Sequence, residues 1–302
     1  MEKVIIIGAG PAGISAALYA VRGNLDPLVI NNGIGALEKA EKIENYYGLE
    51  HPLSGQELYD TGIAQAKALG VRILDAQVLG VGGFDTFVVK TTEGEFETQS
   101  LILATGSKRA TPKIPGVKEF EGKGVSYCAI CDAFFYRGKD VAVLGNGDFA
   151  MHEAKELSNT ASTVTIYTNG EEPEFTPEEN ISVNTMKIQS VEGDDLVSGI
   201  RLAPDVQAQE INGEAGQQVN DFCPADGVFI AMGIAGSTEI ARQMGAELTE
   251  KGNIKVNENM ETTIPGLYAA GDCTGGLLQV AKAVYEGAQA GINAGKYVRS
   301  LK

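Results

Sequence analysis

Residues 4–21 read Val-Ile-Ile-Ile-Gly-Ala-Gly-Pro-Ala-Gly-Ile-Ser-Ala-Ala-Leu-Tyr-Ala-Val, and this stretch decides the fold. Four apolar residues, 4–7, form a short run of the kind a buried strand needs, and Gly8, Gly10 and Gly13 follow at the spacing of a dinucleotide loop. In such a loop the first glycine makes a tight turn, the second lets a pyrophosphate approach the backbone, and the third lets helix pack on strand. Pro11 and Ala12 open a helix, expected over about 11–21, whose first N–H groups face the anion. A second apolar strand is expected at 28–30. The six loop residues alone would also suit a tight turn with no ligand; the flanking strand and helix favour nucleotide binding. The glycines and the proline interrupt the apolar run, and Met1-Glu2-Lys3 is not a basic leader. The run is therefore neither a secretion signal nor a membrane span, and a cytoplasmic protein is expected.

A similar unit recurs further along. Residues 141–144 are apolar, Gly145-Asn-Gly-Asp-Phe-Ala150 follows, then a helix to about 158 and a strand over 164–168. The fold class is therefore α/β, with two Rossmann-like, three-layer ββα domains of the dinucleotide-binding type. Breaker-rich stretches at 111–116 (Thr-Pro-Lys-Ile-Pro-Gly) and 233–238 (Gly-Ile-Ala-Gly-Ser-Thr) suggest boundaries. The expected division is 1–113 with 243–302 as one discontinuous domain, 116–235 as the other, and linkers at 111–116 and 233–242. Two crossings of this kind could serve as a hinge. Residues 84–99 alternate about Glu93-Gly94 and predict a β-hairpin, and residues around 183–230 alternate similarly.

Of the 302 residues, 43% are hydrophobic and 21% charged, which places the chain among folded globular proteins. A net charge of −16 argues against general nucleic-acid binding and against adhesion to anionic membranes. The segment 101–140 runs against this balance. It carries Lys108, Arg109, Lys113, Lys118, Lys123, Arg137 and Lys139 against Glu119, Glu121, Asp132 and Asp140. It reads either as a solvated loop region or as a docking face for an acidic partner.

Two segments point to FAD in the first domain. Residues 101–106 are an apolar strand ending in Ala104-Thr105-Gly106, and residues 266–272 are a strand ending in Gly271-Asp272, followed by a helical stretch with Gln279. An aspartate at such a strand end can accept hydrogen bonds from ribityl hydroxyls, or it can cap the next helix. Between the two glycine loops lies Tyr-Cys128-Ala-Ile-Cys131-Asp132. Two intervening residues let a short disulfide close and put one thiolate at a helix start, lowering its pKa. Zinc is the competing use of such a pair, but there is no second CxxC, and the only histidines are His51 and His152. Cys223 and Cys273 stand alone and read as structural.

Taken together, GAGPAG, the Glu-Asn-Tyr-Tyr-Gly turn at 44–48, LATGS, CAICD, GNGDFA and GLYAAGDC resemble the low-molecular-weight thioredoxin reductase family of flavoproteins over essentially the whole chain. The resemblance implies FAD contacts at Gly8, Gly10, Pro11, Ala12, Gly13, Asn45, Val78, Ala104, Thr105, Gly106, Gly271, Asp272, Gln279 and Val280. It implies that Cys131 faces the flavin, that Cys128 attacks the disulfide of thioredoxin, and that Asp132 handles the proton that the exchange requires. It also implies a homodimer. The double linker, and one dithiol that must meet both flavin and partner, suggest that the domains rotate between the two half-reactions.

The sequence departs from the family pattern at one place. NADPH-using members carry basic residues after the second strand of the middle domain, where guanidinium groups bind the 2′-phosphate. Here the strand at 164–168 is followed by Asn169-Gly-Glu-Glu-Pro-Glu174, and no arginine occurs in 138–200. The resemblance narrows to the ferredoxin-dependent flavin thioredoxin reductases, because the basic residues around the CxxC suit an acidic electron-transfer protein. NADH, with Glu171 or Glu172 on the ribose diol, and NADPH bound in an unusual way are the other donors in view. A flavin dithiol oxidase or a redox sensor is the other class of function.

Overall fold

In a computed structural model, residues 1–83, 85–106, 112–127, 129–204, 221–232 and 236–301 are described, with backbone alone at Ile130 and Cys131. The chain divides into two compact units, Met1–Arg109 with Ala235–Lys302, and Ala110–Ile234. The first domain is thus discontinuous in sequence.

The first unit is built on β1 (Glu2–Ile7), α1 (Pro11–Arg22), β2 (Pro27–Asn31), α2 (Gly55–Ala68) and β3 (Arg72–Asp75). It continues with β4 (Val78–Gly82), β5 (Phe87–Thr91) and the ten-residue β6 (Gly94–Leu103). β6 is the hub of one seven-stranded sheet. Its first half pairs antiparallel with β5 about the Glu93-Gly94 turn, as its alternation predicts. Its second half lies parallel to β1 on one side and to β15 (Leu267–Ala269) on the other. The parallel part of the sheet therefore runs β3-β2-β1-β6-β15, and the β5-β4 hairpin continues the same sheet antiparallel from β6. Residues 4–7 of β1 are all buried, as a strand covered on both faces must be.

Helix α1 packs on α6 (Val280–Ser300) through small residues. A Cβ on Gly287 would lie 2.0 Å from the Ala12 carbonyl oxygen, and one on Gly291 2.3 Å from that of Ala16. Those glycines let the two backbones touch, and the Ser15 hydroxyl donates across the contact to the Val284 carbonyl at 2.6 Å.

The second unit repeats the plan. β8 (Asp140–Leu144), α4 (Asp148–Ser158) and β9 (Thr163–Tyr167) follow the same order as β1, α1 and β2. With β7 (Val125–Ser126), β10 (Ser182–Asn184) and β14 (Gly227–Ile230) they make a five-stranded parallel sheet, β10-β9-β8-β14-β7. β11 (Ile188–Gly193), β12 (Val197–Leu202) and β13 (Phe222–Pro224) form the antiparallel layer. Both units are thus α/β domains of one Rossmann-like pattern.

The boundaries differ in detail from the linkers expected at 111–116 and 233–242. Pro115 is drawn into the second unit, where its carbonyl accepts from Val191 N–H at 2.9 Å. Ser237–Gln243 form helix α5 rather than connecting chain, because Ile240 and Ala241 are fully buried in the first unit. Among the described residues, no helix is long and apolar enough to cross a membrane.

Candidate functional site

In the first unit the loop after β1 closes on itself and on its neighbours. Gly8 has φ +107°, and a Cβ there would meet the Ala104 carbonyl oxygen at 2.4 Å and Thr105 Cα at 3.1 Å. A Cβ on Gly13 would lie 1.8 Å from the Gly8 carbonyl oxygen. Gly10 is the opposite case, with open space where its Cβ would be. That opening faces the start of α1, which has no side-chain cap and no acid in its first turn. Uncapped N–H groups at the positive end of a helix are complementary to a pyrophosphate. The chain's residues therefore fit a dinucleotide such as FAD at this loop.

The same end of the unit collects the other expected contacts. A Cβ on Gly271 would lie 3.0 Å from that of Ala12. Asn45 donates to the Gln279 side chain at 3.0 Å across 234 residues of sequence, and Val280 opens α6 beside it. The Thr105 N–H and hydroxyl bond the Ser237 hydroxyl at 3.1 and 2.8 Å, and Ser237 N–H donates to the Thr105 oxygen at 2.8 Å. Gly106 extends that turn with φ +85°. Val78 stands apart, buried at the first position of β4 opposite Thr91. Asp272 is partly buried; burial raises its pKa and Lys282 opposes this.

Beneath Asp272 lies a buried ion pair that sequence reading missed. Lys282 Nζ donates to Gly271 O and Thr274 Oγ1 at 2.8 Å and to Gly275 O at 2.5 Å. It pairs with Glu286 at 3.0 Å. Glu286 in turn accepts from Gly271 N–H at 2.8 Å and from the Thr274 hydroxyl at 2.9 Å. Cys273 is buried, bonds main-chain carbonyls of Leu103 and Ala270, and has its thiol pushed up to about 12 by burial. Such a thiol is inert packing.

In the second unit Cys128 lies outside the described residues, as does the side chain of Cys131. The backbone of Cys131 belongs to α3 (Ala129–Asp132), which follows β7. Asp132 is described: Ser126, buried at the end of β7, donates its hydroxyl to Asp132 Oδ2 at 2.6 Å. At the other end of this short helix the Ala129 N–H donates to Glu153 Oε2 at 2.6 Å. Glu153 is 1% exposed on α4, and its carboxyl is pushed up to about 7, chiefly by burial. A sequence signal for it existed. Position 153 falls on the stripe of Ala150, Ala154 and Leu157, all fully buried, so an acid there had to face inward.

The second glycine loop carries its own closure. Gly145, with φ +159°, turns where a Cβ would meet the Ala231 carbonyl oxygen at 2.2 Å. After β9 the chain makes a tight turn in which Glu171 N–H donates to Thr168 O and the Thr168 hydroxyl to Glu171 O. Glu174 N–H then donates to Asn146 O, in the glycine loop itself, at 2.7 Å. Glu171, Glu172 and Glu174 keep exposed side chains there.

Comparison with known proteins agrees with this duplicated plan. The pyridine nucleotide-disulphide oxidoreductase family matches residues 2–287. A thioredoxin reductase of Listeria monocytogenes is 33% identical, the alignment covering 99% of this chain and 94% of that protein. Among solved structures, the atypical thioredoxin reductase TRi of Desulfovibrio vulgaris Hildenborough superposes with TM-score 0.89 at 38% identity, over 99% of both chains. A ferredoxin-flavin thioredoxin reductase of Clostridium acetobutylicum superposes with TM-score 0.69 at 30% identity, over 99% of this chain and 98% of that one.

Proposed function

The chain belongs to the pyridine nucleotide-disulphide oxidoreductase family, and from that premise we propose that it reduces the disulfide of thioredoxin through Cys128 and Cys131, with electrons from reduced ferredoxin. FAD is the cofactor, held by the glycine loop, Thr105, Asp272 and Gln279; when bound it supplies the capacity to collect single electrons and release them in pairs. Relatives named thioredoxin reductases support thioredoxin as the substrate.

The chain's own groups carry the exchange. With the pair reduced, the Cys128 thiolate attacks one sulfur of the thioredoxin disulfide, and the other thioredoxin sulfur leaves as thiolate. The Cys131 thiolate then attacks Cys128 Sγ. This closes the Cys128–Cys131 disulfide and frees thioredoxin as a dithiol. Two electrons pass to thioredoxin, and its two sulfurs take up two protons. Asp132, next to Cys131 in sequence, is assigned the proton handling, and the hydrogen bond it accepts from the Ser126 hydroxyl supports an oriented carboxylate. Replacing Ser126 with alanine should slow the exchange several-fold and displace its pH profile, with FAD content unchanged. A superimposable rate–pH curve would remove the Ser126–Asp132 pair from the chemistry.

The observation favouring ferredoxin is the tie from Glu174 N–H to Asn146 O. It holds an acidic turn against the second glycine loop, near where a nucleotide donor would place its phosphates, and like charges there repel. Meanwhile Lys113, Lys118, Lys123, Arg137 and Lys139 are all exposed on the second unit, which suits an acidic one-electron carrier. The test is anaerobic bleaching of the flavin absorbance with NADPH, NADH and reduced ferredoxin in separate cuvettes. Rapid bleaching by ferredoxin alone, reversed by oxidised thioredoxin, is the expected result. Rapid bleaching by either nicotinamide would overturn the donor assignment. A homodimer in the cytoplasm remains the expected setting.

A further inference from the structure

We propose that Glu153 is a positioning residue for the dithiol: its carboxyl group holds the peptide joining Cys128 to Ala129 and, through its charge, governs how readily the paired thiols ionise. The inference rests on the reading of Cys128 and Cys131 as the exchanging thiols.

Ala129 lies between the two cysteines, and its N–H is the first donor of the turn they share. Glu153 Oε2 takes that donor at 2.6 Å, reaching from α4 across 24 residues of sequence. The acid is 1% exposed, and its Oε1 has no hydrogen-bond partner among the described residues. An amide, a serine or a threonine could accept a main-chain N–H at far lower desolvation cost. A group retained at that cost, with one oxygen unspent, has a use for its charge.

The electrostatics follow from who faces it. On α4 itself Glu156, three residues on, disfavours ionisation of Glu153, and His152 precedes it. α4 also carries Asp148 and Lys155, the latter paired with Glu178, and the elements packed on it carry Asp132 on α3, Asp140 on β8 and Tyr167 on β9. No lysine or arginine stands on those three elements. Burial, opposed by the Ala129 N–H, leaves the carboxyl ionising at about 7. Below that pH the group is neutral and adds no field at the turn. Above it the carboxylate adds a negative charge at the Ala129 N–H, in the turn that carries both cysteines by sequence, so ionisation of their thiols is disfavoured. The effect restrains free thiolate in the reduced enzyme and makes the dithiol titrate over a wider span of pH.

The test is the pH dependence of iodoacetamide alkylation of the reduced holoenzyme, with alkylated cysteines located by mass spectrometry. Glu153→Gln keeps an oxygen for the Ala129 N–H and removes the charge. The midpoint of its alkylation profile at Cys128 and Cys131 should fall by on the order of one pH unit, with flavin content retained. Glu153→Ala removes the acceptor as well; should that protein fail to fold, the glutamine variant alone carries the test. A glutamine profile that superimposes on the parent, or moves to higher pH, overturns the proposal while leaving the exchanging thiols intact. The exchange reading fails separately if blocking Cys128 and Cys131 spares thioredoxin turnover, and the proposal then falls with it.

Discussion

Replacing Cys128 with serine should abolish thioredoxin reduction, by on the order of a thousandfold or more, and leave a yellow, folded protein. A hydroxyl is a far poorer nucleophile than a thiolate and cannot form the mixed disulfide, and removing a nucleophile costs about as much as removing the whole catalytic group. FAD is retained because its proposed contacts lie in the first unit, in the loop at Gly8, Gly10 and Gly13 and the turn at Gly271 and Asp272. The measurement is steady-state thioredoxin reduction beside the visible spectrum of the same preparation. Substantial turnover in the serine variant would mean that other thiols do the work, and Cys223, half-buried at β13, would be the next to examine.

The second large effect is expected at Lys282. Its ammonium binds three oxygens of the turn that carries Asp272 and neutralises Glu286, while both side chains are only 15% and 12% exposed. Lys282→Met keeps much of the apolar stem but leaves the Glu286 charge buried without its partner. Breaking one side of such a pair costs about 3–5 kcal/mol. Released from Lys282, the turn from Gly271 to Gly275 should also lose its hold on Asp272, so FAD should dissociate on gel filtration. The paired outcomes to record are the urea midpoint and the flavin-to-protein ratio. An unchanged midpoint with full flavin would show that the pair is incidental. Replacing Lys282 and Glu286 together by Met and Gln should recover part of the lost stability, since the uncompensated charge is then gone as well.

Much of the fold was legible because its signals are local. The apolar run at 4–7, the glycine spacing after it and the copy beginning at 141 each lie within a few contiguous residues, and β1–α1–β2 and β8–α4–β9 formed where those patterns lie. The hairpin about Glu93-Gly94 was equally local. The boundary near 233–242 was less so. Glycine and serine suggested connecting chain, but Ile240 and Ala241 had a core to enter, and burial drew Ser237–Gln243 into a helix.

By itself the sequence determined that two Rossmann-like units are present, that a CxxC lies between their glycine loops, and that the strand at 164–168 is followed by glutamates in place of the basic cluster a 2′-phosphate would need. Each of these depends on residue type at fixed short spacing, which chain connectivity guarantees. Only the tertiary structure decided which distant side chains meet: Asn45 with Gln279, Thr105 with Ser237, Ala129 with Glu153, and Glu174 with the loop at Asn146. Those partners lie between 24 and 234 residues apart. Their meeting is set by where parallel strands end side by side, and no local periodicity encodes that position.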